Sequence, residues 1–280
     1  MLETIQSKIS GLKSELNYRL ALVKHARNLP ALLGRERLIV DALKRDGAYI
    51  TSLAELELPS TTQLLYAANS HLSSIVSPRD SHADYKLPQI YTVTDLPEFF
   101  AWGIEKKLQN IIENYIGLPI AFHGVHLRKD FPNEQQLQTL LWHKDAEDRR
   151  MIKVIIYLND VTDKHGPFEY VPKRYSLLER LTDYRVDYEL LQTNYLGIND
   201  EKLSKIIPKS AWKSCPGKAG TVIFVDPRNI LHHGTVRTQE RSTLFFTYTA
   251  NPPKRPELCR QYKDDTFTKP SKKLIVEGRV

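Results

Sequence analysis

Gly117-Leu118-Pro119-Ile120-Ala121-Phe122-His123-Gly124-Val125-His126-Leu127 marks a change of texture in this chain. Before it, apolar residues recur at the spacing of an α-helix; after it, short runs rich in β-branched and aromatic residues take over, the signature of strands. Upstream, Leu2, Ile5, Ile9, Leu12, Leu16 and Leu20 predict one face of an amphipathic helix that packs on the protein's own body. Pro30 breaks that segment, and Leu38, Ala42 and Leu43 continue a second helix that Gly47 ends before an extended stretch, Ala48 to Leu53. Thr61 to Ile75 predicts a third helix and Pro78 to Pro88 a loop, and Thr94 or Asp95 caps a long helix through Phe99, Ile104, Leu108, Ile111 and Tyr115 to Gly117. Downstream, strands are expected at Ile120 to Leu127, Lys153 to Leu158, Phe168 to Val171, Ala211 to Cys215, Thr221 to Val225 and Thr243 to Thr249, with helical or irregular material from Leu177 to Ile207. Helices first and clustered strands later place the chain in the α+β class, as an antiparallel barrel or jelly roll buttressed by N-terminal helices.

The 280 residues, 41% of them hydrophobic, suffice for one sizeable core. The expected division is a helical region at 1–46, a main domain at 47–250 and a basic tail at 251–280. No apolar run approaches the roughly 20 residues of a membrane helix, and Met1 to Ser10 lacks a signal pattern, so a soluble, cytoplasmic protein is expected. Cys215 and Cys259 share no metal-type spacing and fit a reducing compartment. The net charge of +7 favours anionic partners. Its basic residues are dispersed, however, and the densest groups, Lys254 to Arg260 and Lys269 to Lys273, read as a solvated tail rather than a nucleic-acid site.

Leu141-Trp142-His143-Lys144-Asp145 sets an imidazole and a carboxylate on one face of an extended backbone, where a single cation could take both. A third ligand is available in Ile230-Leu231-His232-His233-Gly234, where His232 and His233 face opposite ways and only one can join. Two histidines and a carboxylate on one face of a metal leave the other face open, the arrangement of non-haem iron oxygenases. Arg241 follows, with Thr243 on the same strand face; taken alone it reads first as a buried partner of a structural acid, but after the ligand set its fixed cation and planar fork of donors suit a carboxylate of a bound cosubstrate. Lys153 and Tyr157 share a strand face and could reach the same molecule. His123 and His126 fall on opposite faces of an extended strand, so joint ligation is not expected and at least one reads as a packed or surface residue; Trp142 reads as a core anchor, and Glu147, Asp148, Arg149 and Arg150 as a solvated turn.

On these residues the chain resembles the phytanoyl-CoA dioxygenase family of 2-oxoglutarate oxygenases. The matching parts are Trp142-His143-Lys144-Asp145, the strand Lys153 to Val161, the turn Gly166-Pro167-Phe168-Glu169-Tyr170-Val171-Pro172, and Gly220 through Tyr248; Asp46-Gly47-Ala48-Tyr49-Ile50 is similar to the family's early helix-to-strand junction. The resemblance implies a double-stranded β-helix (jelly-roll, cupin-like) in which His143, Asp145 and His232 bind Fe(II), Arg241 binds 2-oxoglutarate with Thr243, Lys153 and Tyr157 as helpers, and O2 is the oxidant. His232 is the implied ligand because the family writes it before one variable residue and a glycine. Asp145 stands where the family's halogenases carry a small residue, so hydroxylation with release of succinate and CO2 is implied. Lys173-Arg174-Tyr175 departs from the family after Pro172, which leaves the substrate open between a free small molecule, an anionic one and a carrier-bound acyl chain. Two other readings use the same residues: a zinc hydrolase with an activated water, and a catalytically silent jelly-roll binding module. Oligomeric state is not legible.

Overall fold

In the computed structural model, residues 2–75, 86–173 and 177–270 are described, with side chains omitted at 2–9 and 177–180. The chain runs α1 (Leu2–His25), α2 (Gly34–Asp46), β1 (Ala48–Ser52), α3 (Leu53–Leu56), α4 (Thr61–Ser73), β2 (Gln89–Thr92), α5 (Pro97–Gly103), α6 (Lys106–Ile116), β3 (Ile120–Asp130), β4 (Met151–Tyr157), β5 (Phe168–Tyr170), α7 (Leu177–Gln192), α8 (Asp200–Ser204), β6 (Lys213–Cys215), β7 (Thr221–Val225), β8 (His232–Gly234) and β9 (Arg241–Ala250). Six strands form one antiparallel sheet in the order β1-β7-β4-β9-β3-β2, and β6-β5-β8 form a smaller one facing it. The expected α+β jelly roll with buttressing helices is therefore the observed fold.

Strand alternation sorts the side chains into two layers. Val154 and Ile156 of β4, Val222 and Phe224 of β7, and Leu244, Phe246 and Tyr248 of β9 point outward into a core shared with α2, α4, α5 and α6. The stripe Leu108, Ile111, Ile112, Tyr115 and Ile116 is the face α6 buries there. The intervening residues Ile155, Tyr157, Ile223 and Val225 point inward and meet Phe168 and Tyr170 of the small sheet. The same parity turns Lys153 of β4 and Arg241 and Thr243 of β9 toward the space between the sheets. Gly47, at φ 84, ends α2 in the left-handed conformation and turns the chain directly into β1.

Several expectations need correction. The long helix expected up to Gly117 is two helices, because Glu105 adopts an extended conformation (φ −51, ψ 128) and its carboxylate accepts from Ser60 N at 3.1 Å and Ser60 Oγ at 2.7 Å. Neither Thr94 nor Asp95 caps it; Leu96 holds that position, and the Thr94 hydroxyl instead ties Val125 N (2.9 Å) to Tyr262 O (2.6 Å). Strand β2 lies just beyond the expected loop, of which 78–85 fall outside the described residues.

The described part of the stripe on α1 does not pack on the body: Leu12, Leu16 and Leu20 are 73%, 59% and 51% exposed. The helix docks through its polar side instead, with Glu15 on Arg149 (3.1 Å), His25 on Glu113 (2.8 Å), and the Arg149 guanidinium over the Tyr18 ring (4.6 Å). Nor is the described part of the C-terminal segment a solvated tail. Its charged side chains reach solvent, but a 3-10 turn at Pro256–Tyr262 buries Cys259 and Tyr262 against the sheet. Residues 271–280 lie outside the described residues. No described helix is long and apolar enough to cross a membrane.

Candidate metal centre

Backbone pairing brings the two halves of the site together. His143 and His232 exchange both main-chain hydrogen bonds at 3.1 Å, and Asp145 N donates to Pro227 O at 2.9 Å, so the segment carrying His143 and Asp145 lies against β8. One ligand atom each from His143, Asp145 and His232 lies within 4.8 Å of the others. Nε2 of either histidine is 3.8 Å from Asp145 Oδ1. The far nitrogens donate to carbonyls, His143 Nδ1 to Leu141 O at 2.7 Å and His232 Nδ1 to Ile230 O at 3.4 Å. That fixes the tautomer with the Nε2 lone pairs turned inward, as metal-bound histidines require.

Electrostatics keep this set ready for a cation. Burial pushes the His232 imidazole down to about 3, with repulsion from His143 adding to it, and burial also lowers His143. Burial opposes ionisation of Asp145, but Lys153, His232 and His143 outweigh it and hold the carboxyl at about 2. Lys153 Nζ donates to Asp145 Oδ2 at 2.6 Å. One carboxylate oxygen is thereby held by the lysine while the other faces the histidines, an arrangement for single-oxygen ligation.

His233 is spoken for. Nδ1 meets Leu140 O at 2.8 Å, Nε2 meets Glu169 Oε2 at 3.0 Å, and the ring stacks on Trp142 at 3.8 Å. Trp142 is the core anchor expected of it, fully buried with Nε1 on Asp200 Oδ1 at 2.8 Å. His123 and His126 are likewise engaged, with Thr249 Oγ1 (2.7 Å) and Gln261 O (2.8 Å).

The three ligand candidates open into a cavity of about 370 Å³ that Lys153, Tyr157 and Arg241 also line. Tyr157 contributes its ring there, but its hydroxyl is committed, donating to Cys215 O at 2.9 Å and accepting from Phe168 N at 3.0 Å. Arg241 is held by Asp130, its Nε and Nη2 lying 3.2 and 2.9 Å from Oδ2, and its Nη1 donates to Gly166 O. Three of its five N–H donors are thus engaged and two are left. Thr243, on the same strand face, is fully buried, and its Oγ1 has no hydrogen-bond partner among the described residues. Gly234 explains the glycine after His232: a Cβ there would meet Arg237 Nη2 at 3.2 Å and Arg241 Nη2 at 3.3 Å.

Asp130 was not singled out by the sequence. It pairs in register with Arg241 across β3 and β9, and its Oδ1 also takes Arg128 and Arg237, each at 2.7 Å. Three guanidiniums around one carboxylate leave this end of the cavity positive. Burial opposes ionisation of Asp130, but Arg128, Arg241 and Arg237 overcome it and hold the carboxyl well below its usual range. Asp130→Asn should therefore lower stability at neutral pH by roughly 3–5 kcal/mol, because two buried cations, Arg237 and Arg241, and the half-buried Arg128 lose their counter-charge. In denaturant titrations the wild-type advantage should be full above the unfolded carboxyl value near 3.9 and shrink as pH falls toward the folded one. Equal stabilities at neutral pH would show that Asp130 does not hold the cluster.

The charged quartet after Asp145 is not a solvated turn. Glu147 and Asp148 are 5% and 3% exposed; Glu147 lines the cavity with Oε1 at 3.8 Å from Lys153 Nζ, and Asp148 accepts from Ala250 N (2.9 Å) and Lys254 N (3.1 Å). The C-terminal segment roofs the mouth, where the His126 ring stacks on Tyr262 at 4.4 Å and meets the Phe267 edge at 4.9 Å.

Among solved structures, the chain is similar to EctD from S. alaskensis in its apo form, at 17% identity and TM-score 0.53 over 79% of this chain and 78% of that one. It is similar to EctD with 2-oxoglutarate and 5-hydroxyectoine at 16% identity and TM-score 0.53, over 86% of each chain. AviO1 from Streptomyces viridochromogenes Tue57 matches at 16% identity and TM-score 0.52, over 80% of this chain and 98% of that one. At such identities the likeness speaks to fold. No curated protein sequence matches the chain. The sequence profile of phytanoyl-CoA dioxygenase matches residues 69–242, well over half of the chain and a span that includes His143, Asp145, His232 and Arg241, so this protein belongs to the phytanoyl-CoA dioxygenase family.

Proposed function

We propose that the protein hydroxylates an unactivated carbon of a small molecule, using Fe(II) held by His143 Nε2, Asp145 Oδ1 and His232 Nε2, with 2-oxoglutarate and O2 as cosubstrates. The observation that carries this reading is the convergence of those three donor atoms within 4.8 Å in a cavity that Arg241 shares. Iron(II) with 2-oxoglutarate and O2 supplies an oxidant able to break a C–H bond, the cosubstrate leaving as succinate and CO2. The chain's own contribution is placement. His143 and His232 present neutral imidazoles, Lys153 orients the Asp145 carboxylate, and Arg241 offers two N–H donors to the far carboxylate of 2-oxoglutarate, with the Thr243 hydroxyl beside it. The aromatic roof of His126, Tyr262 and Phe267 restricts water.

A cavity of about 370 Å³ has to admit cosubstrate and the reacting part of the substrate together, which favours a small molecule. Arg128 and Lys153 on its wall favour polar or anionic groups on that molecule. Family membership, together with Arg241, favours this oxygenase over a zinc hydrolase or a silent module.

Anaerobic titration tests the reading: iron(II) followed by 2-oxoglutarate should produce the weak visible charge-transfer band of their chelate. A protein that binds iron but gives neither the band nor succinate with any substrate in a metabolite screen would exclude it.

A further inference from the structure

A second, larger cavity of about 710 Å³ lies on the reverse side of the metal-binding segments. Alternation places it there: His143, Asp145 and His232 face the first cavity, whereas Lys144 and Leu231, their immediate neighbours, line the second. Its wall is strongly basic. Lys44, Lys144, Arg149, Arg150, Lys173, Arg228 and Lys254 contribute cations against the carboxylates of Glu15 and Asp183.

Some of that charge is spent within the fold. Arg149 meets Glu15 at 3.1 Å and Lys144 meets Asp187 at 2.7 Å. Much is not. Arg150 and the Lys254 ammonium have no hydrogen bond or ion pair among the described residues, and Arg228 Nη1 reaches only Asp145 O, at 3.3 Å. Lys173, by contrast, is half-buried and engaged, its Nζ on Tyr115 Oη (2.7 Å) and Leu43 O (3.0 Å), with Asp226 at 4.0 Å. Tyr18 lines the same space with a buried hydroxyl that has no partner among the described residues. A buried polar atom of this kind is costly unless something pairs with it.

We propose that this cavity is a binding site for a phosphorylated small molecule, distinct from the oxygenase centre. Several cations around one concavity match a ligand carrying two or more charges, and guanidiniums and ammoniums both suit phosphate oxygens. The volume exceeds what an inorganic ion needs, so the phosphate belongs to a larger molecule.

Calorimetry with pyrophosphate as the probe, at about 0.15 M salt where diffuse attraction is screened, tests the site. Wild type should show one saturable event. Arg150→Glu/Lys254→Glu, both at exposed positions, should weaken it at least about tenfold while iron(II) affinity stays unchanged. Arg241→Met, which removes a cation from the first cavity, should leave pyrophosphate binding intact. Tyr18→Phe is a gentler arm, expected to weaken binding about threefold, where a purely structural hydroxyl would give no change. Equal affinity in wild type, the double variant and Tyr18→Phe would overturn the proposal, as would loss of binding in Arg241→Met. So would cosedimentation with vesicles of phosphatidic acid and phosphatidylcholine in the absence of saturable pyrophosphate binding, which would assign these cations to a membrane surface.

Discussion

His232→Ala is expected to lose iron(II) binding by at least about a hundredfold in a folded protein, because a missing ligand should exceed the 10–100-fold effect of disturbing a ligand's supporting partners. His143→Ala and Asp145→Ala should do the same, each removing one of three convergent donors. His233→Ala should behave differently. Its two ring nitrogens already serve Leu140 O and Glu169, and its ring stacks on Trp142, so truncation unpairs buried groups and costs roughly 1–3 kcal/mol of stability while sparing the metal. Anaerobic calorimetry with iron(II) and thermal melts of the same variants separate the outcomes. Intact iron affinity in His232→Ala with loss in His233→Ala would move the ligand to its neighbour.

Much of this was legible in the sequence because strand parity carries it. Once Lys153 to Leu158 and Thr243 to Thr249 read as strands, the inward positions follow: Lys153, Tyr157 and Arg241 line the cavity, and Thr243 shares the parity of Arg241 on β9. The histidine pair was harder, since His232 and His233 differ by one position at a strand end; the groups that claim His233, Leu140 O and the Glu169 carboxylate, come from a distant turn and from β5. Asp130 left no local signal. It reads as one more charge in Arg128-Lys129-Asp130, and only the register of β3 on β9 sets it opposite Arg241. Glu147 and Asp148 misled for the opposite reason: a mixed-charge run looks solvated, but Asp148 serves the backbone nitrogens of Ala250 and Lys254, far along the chain. Leu12, Leu16 and Leu20 on α1 obey the helical period yet stay exposed, because a period specifies a face and not what covers it.

Arg241→Met should bind iron(II) almost normally and need far more 2-oxoglutarate. The substitution removes the fork but keeps much of the side-chain bulk, and the fold has reason to survive it: Asp130 retains Arg128 and Arg237 at 2.7 Å each, so no buried carboxylate is abandoned. What is abandoned is the cosubstrate's far carboxylate, which loses the two free N–H donors of Arg241. Losing one partner of such a pair costs roughly 2–5 kcal/mol, which is about thirtyfold to several thousandfold in affinity. Arg241→Lys should fall between, because one ammonium cannot reach Asp130 Oδ2 and Gly166 O and also present two donors to a carboxylate. Calorimetry with iron first and 2-oxoglutarate second measures the two steps apart. If the iron step is unchanged and the second weakens only in Arg128→Met, the anchor is the neighbouring guanidinium. Unchanged 2-oxoglutarate affinity in a folded Arg241→Met protein would remove Arg241 from the cosubstrate site and leave it a structural partner of Asp130.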